Sequence, residues 1–183
     1  REQVLSLEEI EQVATAFVAL GVTKIRLTGG EPLVRRGIDG LLRRLGALDG
    51  LRELVLTTNG SQLTRLSESM KAAGVKRINI SLDSLRADRF KRITRTGRLE
   101  QVLKGIDDAR AVGFDRIKLN AVIMKGRNED EVLELVDFAR EKGLDISFIE
   151  EMPLGNIDHE RIETYCSSDE VRQIIESKYT LTP

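Results

Sequence analysis

The 183-residue sequence contains a single cysteine, Cys166, and a single histidine, His159. One thiol cannot form an intramolecular disulfide, and it suits a reducing cytosol. Nor can it hold an iron–sulfur cluster, which takes three or four thiolates. A lone histidine in a polar loop argues against a zinc site or a serine triad. Cys166 stands beside a helix start, where a lowered thiol pKa is conceivable; an incidental thiol is the favoured reading. No apolar run approaches the ~20 residues that span a bilayer, and no secretory signal pattern is present. We therefore expect no membrane partner and a cytoplasmic location. With 29 basic against 30 acidic residues, a net charge of −1 and no long block of one sign, a nucleic-acid groove is not expected.

What is present is ordinary for a globular chain: 40% hydrophobic and 32% charged residues. Its length buries about 70% of the unfolded surface, so we expect a single domain over 1–183. The sequence begins at Arg1, close to a helix start, and stops at Pro183 soon after another helix. The expectation is an excised piece of a longer protein.

Helical and strand patterns alternate. Ser6 and Glu9 have capping-box spacing ahead of the apolar stripe Ile10, Val13, Ala14, Phe17. Asn128 with Glu131 is read as opening another helix, closed by Lys142-Gly143, and Ser167 with Glu170 as opening the last. Further stripes run through Leu63, Leu66, Met70 and through Val102, Leu103, Ile106. Five strands are expected at 24–28, 52–57, 76–83, 115–123 and 145–151, and their alternation with helices predicts parallel βα units.

Strands covered by helices on both faces read as continuous apolar runs. These instead alternate. Ile25 and Leu27 oppose Lys24, Arg26 and Thr28; Ile78, Ile80 and Leu82 oppose Arg77, Asn79, Ser81 and Asp83; Ile117, Leu119 and Ala121 oppose Arg116, Lys118 and Asn120. With a side-chain period of two, one face packs on helices while the other is polar. A TIM-like barrel, whole or partial, with a ligand-filled interior accounts for this better than a flat doubly wound sheet. The competing reading, strand-end positions facing water, weakens when three strands share the pattern.

Thr28-Gly29-Gly30-Glu31-Pro32 follows the first strand, where glycines let backbone approach a ligand and proline rigidifies the exit. It is neither a Walker A loop nor a dinucleotide fingerprint. Thr57-Thr58-Asn59-Gly60 and Ser81-Leu82-Asp83-Ser84 gather polar groups at C-terminal strand ends, where barrel enzymes build active sites. Helix capping is the favoured role of Asn59 and Ser84. Lys24, Arg26 and Lys118 lie on the expected inner face, and burying cations needs anions. Too few inward carboxylates are visible, so a polyanionic ligand such as a nucleotide phosphate is expected to supply the charge.

Taken in order, "KIRLTGGEPLVRR", "LTTNG", "INISLDSL", "IKLNAVIMKGRNEDEV" and "FIEEMPLG" resemble the GTP 3′,8-cyclases, radical S-adenosylmethionine enzymes of molybdenum cofactor biosynthesis. The likeness covers nearly the whole chain and is weak only around 156–170. It implies an α/β fold, an incomplete TIM-type (βα)6 barrel lacking its first strand and C-terminal region. It implies S-adenosylmethionine contacts at Gly30, Ser81 and Met152, the last through its backbone. GTP contacts are implied at Arg26, Thr57 and Lys118, with Lys24 sharing their parity.

In such enzymes a reduced [4Fe–4S] cluster cleaves S-adenosylmethionine to a 5′-deoxyadenosyl radical. That radical takes the C3′ hydrogen of GTP, and the carbon radical attacks guanine C8. The family's two cysteine clusters have no counterpart here, so the piece alone is expected to be inactive and to hold no metal. A homodimer and a downstream cyclic pyranopterin monophosphate synthase are the implied partners. Two alternatives stand beside this: a peptide-modifying radical enzyme of the same superfamily, and a non-redox barrel that binds phosphate ligands.

Overall fold

The computed structural model describes residues 4–152 and 163–182. His159 and the Pro153–Gly155 end of the "FIEEMPLG" segment lie outside the described residues. In chain order the elements are α1 (Leu7–Ala19), β1 (Lys24–Leu27), α2 (Ile38–Gly46), β2 (Glu53–Thr58), α3 (Leu63–Ala72), β3 (Val75–Ser81), α4 (Ala87–Thr94), α5 (Leu99–Val112), β4 (Arg116–Ile123), α6 (Val132–Lys142), β5 (Asp145–Glu150) and α7 (Ser168–Glu176). Short 3-10 turns occupy Pro32–Val34 and Glu129–Glu131. Strand order follows chain order. The chain divides into two compact units, Arg1–Ile80 with Gln101–Ile117, and Ser81–Glu100 with Lys118–Pro183.

In the first unit β1, β2 and β3 pair in parallel, with Arg26 opposite Val55 and Val55 opposite Arg77. The helix-facing positions Leu54, Leu56, Ile78 and Ile80 are buried, as are Leu41, Leu42 and Leu45 of α2 and Leu63, Leu66 and Met70 of α3. Each such side chain contributes on the order of 1.5–3 kcal/mol when fully buried. Gly46 sets how closely α2 approaches the end of α3. A Cβ there would stand 1.8 Å from the Ala73 carbonyl oxygen, so only glycine fits. The Ser6–Glu9 capping box of α1 forms in both directions. Its apolar stripe is less buried than its spacing predicts: Ala14 is buried, while Val13 and Phe17 are about half exposed.

In the second unit β4 and β5 pair in parallel from Lys118–Asp145 to Ile123–Glu150. Leu119, Ala121 and Ile123 are buried with Val132, Leu135, Val136 and Ala139 of α6, which ends at Gly143 in the left-handed region. One expectation fails here. Asn128 is the N-cap by position of the Glu129–Glu131 turn that leads into α6, but its side chain makes no capping bond. Its amide spans the backbone, accepting from Met124 N and donating to the carbonyls of Asp83 and Val122. Glu131, fully buried, accepts from Ser84 Oγ (2.8 Å), Leu85 N (2.7 Å) and Arg89 Nη1 (2.7 Å). Partners more than 40 residues away claimed Glu131, because a buried carboxylate needs more donors than a helix end supplies. Asn128 joins one such partner, Asp83, to its near neighbours Val122 and Met124. Ser84 likewise joins this network rather than capping α4, whose first turn has no side-chain cap.

The final helix does follow its sequence signal, with Ser167 and Glu170 forming a reciprocal capping box. The Lys125 ammonium, 2.5 Å away, and the Ser167 N–H and hydroxyl hold the Glu170 carboxyl well below the usual range, at about 2. A depressed carboxyl pKa contributes stability that is fully present above the unfolded value near 4.5 and is lost as pH falls toward 2. Thermal melts of wild type and Glu170→Gln across that window should therefore converge as pH falls. A difference independent of pH would contradict this assignment.

Candidate functional site

Within the first unit the loop after β1 is built around one carboxylate. Glu31 accepts from Leu33 N (3.0 Å), from Thr58 Oγ1 (2.8 Å) and from Asn59 N (2.6 Å). The first bond turns the chain into the Pro32–Val34 helix, and the other two tie the loop to the end of β2. Thr58 in turn accepts from Gly60 N. Gly29 has φ 145°, a conformation that other residues rarely adopt, so the backbone is presented only because the sequence has glycine here. A Cβ added at Gly29 or Gly30 would meet no atom within 4 Å, and both residues are exposed. The loop thus offers open backbone on a rigid mount, which fits a small ligand with polar groups, as S-adenosylmethionine would require.

Beside it, Lys24, Arg26, Glu53, Val55, Thr57, Arg77 and Asn79 share one face of β1–β3, as register and the two-residue side-chain period dictate. Arg26 is exposed and has no hydrogen bond or ion pair among the described residues. Lys24, which shares the parity of Arg26, pairs its ammonium with Glu53 at 2.8 Å. Glu53 is the carboxylate that sequence reading missed; its parity was visible, but its register against Lys24 was not. Lys24, which donates to it and lies beside it, holds its pKa below the ordinary value. Thr57 is half-buried, level with Asn79. Asn59 accepts from Ser61 N in a two-residue turn and is not the N-cap of α3, which is Gln62.

In the second unit, Ser81 is exposed at the C-terminal end of β3, and Met152 is 63% exposed just after β5. Lys118 is half-buried on β4, where its ammonium donates to Ser147 Oγ at 2.9 Å. Asp83 is spent on structure, accepting from Val122 N at 2.8 Å, while burial pushes its carboxyl pKa up. Cys166 is buried, and that burial raises its thiol pKa, contrary to the lowering considered for a helix start. Among the described residues no group of three or more His, Cys, Asp or Glu could hold a metal ion. The single cysteine of the sequence, Cys166, does not supply the three or four thiolates that an iron–sulfur cluster takes. No helix among them is long and apolar enough to cross a membrane.

The Glu31 clamp yields a stability prediction. Glu31→Ala removes the acceptor of three donors, one of them the buried Thr58 hydroxyl, and should cost about 1–3 kcal/mol in urea unfolding. An unchanged midpoint would show that the clamp is dispensable.

Comparison with known proteins extends these observations. The family model for the radical SAM superfamily matches residues 1–139. The chain is 62% identical over 182 residues to the GTP 3′,8-cyclase of Ectopseudomonas mendocina, covering 99% of this chain and 55% of that protein. It is 65% identical over 181 residues to GTP 3′,8-cyclase 1 of Pseudomonas aeruginosa, with the same two coverages. The chain thus spans about half the length of the curated relatives it matches. Among solved structures, coproporphyrinogen III oxidase from Escherichia coli, a radical SAM enzyme, matches with TM-score 0.67 at 15% identity, over 93% of this chain and 43% of that one. The FeFe-hydrogenase maturase of Carboxydothermus hydrogenoformans matches with TM-score 0.66 at 19% identity, over 93% and 42%. At such identities the likeness speaks for fold alone, and it agrees with the expected α/β arrangement of an incomplete TIM-type barrel. The non-redox binding module is set aside by the family match. The chain belongs to the radical SAM superfamily.

Proposed function

We propose that this chain is the core of a GTP 3′,8-cyclase, which converts GTP to (8S)-3′,8-cyclo-7,8-dihydroguanosine 5′-triphosphate with S-adenosylmethionine, the first step of molybdenum cofactor biosynthesis. The observation that carries this reading is identity of 62–65% over 99% of the chain to proteins bearing that name. The cationic face of β1–β3 supports it, since a triphosphate is the charge such a face lacks.

On this reading Arg26 and Thr57 in the first unit, and Lys118 in the second, contact GTP. Gly30, Ser81 and the Met152 backbone contact S-adenosylmethionine. When bound, an iron–sulfur cluster supplies the electron for cleavage of S-adenosylmethionine; its ligands belong to parts of the protein outside this stretch. The protein's contribution here is to bind, orient and exclude water. The 183 residues act as one domain of a cytoplasmic enzyme that forms a homodimer, and its product feeds a cyclic pyranopterin monophosphate synthase.

The test uses the full-length protein, reconstituted anaerobically with iron and sulfide and supplied with GTP, S-adenosylmethionine and a reductant. The cyclised nucleotide should form. Cleavage of S-adenosylmethionine without any GTP product would favour a peptide-modifying enzyme of the same superfamily. Gly30→Ala separates binding from folding. Its Cβ meets no protein atom within 4 Å, so the melting temperature should hold while S-adenosylmethionine affinity falls about tenfold or more. Unchanged affinity would remove Gly30 from the site.

A further inference from the structure

Two polar atoms on the same face of β3 are buried without a hydrogen-bond partner among the described residues: Arg77 Nε and Asn79 Oδ1. Such atoms are rare in folded proteins, because an unmade bond forfeits the full cost of desolvation. Asn79 is 3% exposed, and its carbonyl oxygen has no donor among the described residues. Arg77 has a carboxylate near it, but at 3.7 Å Glu53 is beyond hydrogen-bond length, and that carboxylate already pairs with Lys24 at 2.8 Å.

Register explains what these atoms face. Val55 is flanked by Arg26 on β1 and by Arg77 on β3, all three on one face. Neighbouring strands lie about 4.8 Å apart, so the two arginine backbones stand about 10 Å apart across Val55. Val55 is fully buried between them. Of the three cations on this face, Lys24 and Arg77 share one carboxylate, Glu53, and Arg26 has no ion pair among the described residues. The deficit is anionic, and arginines on one face of two strands that flank the same residue suit phosphate oxygens, which guanidinium groups bind in a forked, directional way. Asn79 stands two residues beyond Arg77, about 6.6 Å along the strand. Its orphan carbonyl needs a donor, which a ribose hydroxyl a short way from a phosphate provides.

We propose that Arg77 is a further substrate-binding residue, which with Arg26 clamps the phosphate chain of the nucleotide, while Glu53 competes for the same cations until the nucleotide arrives. This rests on the GTP reading above and adds a residue to it. Arg77 is a phosphate contact, Asn79 accepts from a hydroxyl of the same ligand, and Glu53 sets the affinity from the opposite side.

Equilibrium binding of GTP, GDP, GMP, guanosine and inorganic tripolyphosphate to the full-length protein tests this. Arg77→Met keeps the apolar stem and removes the charge. It should weaken GTP about tenfold or more, leave guanosine unchanged and flatten the salt dependence of GTP binding, with Arg77→Lys recovering part of the loss. Glu53→Gln should tighten GTP. An Arg77→Met variant that folds and binds GTP as wild type does, or that loses guanosine as much as GTP, overturns the proposal. If that variant fails to fold, Glu53→Gln decides, and unchanged GTP affinity there overturns it. Wild-type protein that binds tripolyphosphate through Arg77 but not GTP would sink the GTP reading and leave the phosphate clamp standing. Protein that binds neither would end both.

Discussion

An unbalanced charge on one strand face is the constraint around which the first unit is arranged. Lys24, Arg26 and Arg77 share the polar face of β1–β3, and Glu53 is the carboxylate set among them in the described residues. Folding tolerates this only because the rest of the unit is strongly apolar, with leucines of α2 and α3 packed under the other face. Stability is drawn from one side of the strands so that the other can hold charge in an unfinished state. On the proposed reading, a ligand with several anionic oxygens completes it.

Two carboxylates of a different kind give the fold its rigidity. Glu31 fastens the Gly29–Gly30 loop to the end of β2, and Glu131 gathers Ser84, Leu85 and Arg89 in the second unit. Each accepts from at least two backbone or hydroxyl donors, which makes a loop as well placed as a strand. That matters for a site on loops, where small displacements weaken binding and orientation.

Much of the fold was legible because its signals are local. Strand-type runs between helical stripes located all five strands to within two residues, and the boxes Ser6–Glu9 and Ser167–Glu170 formed as their spacing predicts. The similar spacing Asn128–Glu131 did not, since Asn128 bonds Asp83, Val122 and Met124 while residues from 84 to 89 took Glu131. Register was equally hidden. Parity put Arg26 and Arg77 on polar faces, but only strand pairing set them on either side of Val55 and put Glu53 against Lys24. The Glu31 clamp also spans 27 positions, a distance no spacing rule covers. Arg26, Thr57 and Gly30 were nameable through family resemblance; Arg77 emerged from burial without a partner.

The most direct measurement is an experimental structure of the protein with GTP. The account predicts phosphate oxygens within hydrogen-bond distance of both Arg26 and Arg77, over Val55, with Arg77 drawn away from Glu53. A nucleotide whose phosphates lie elsewhere, leaving Arg77 Nε still without a partner, would contradict it.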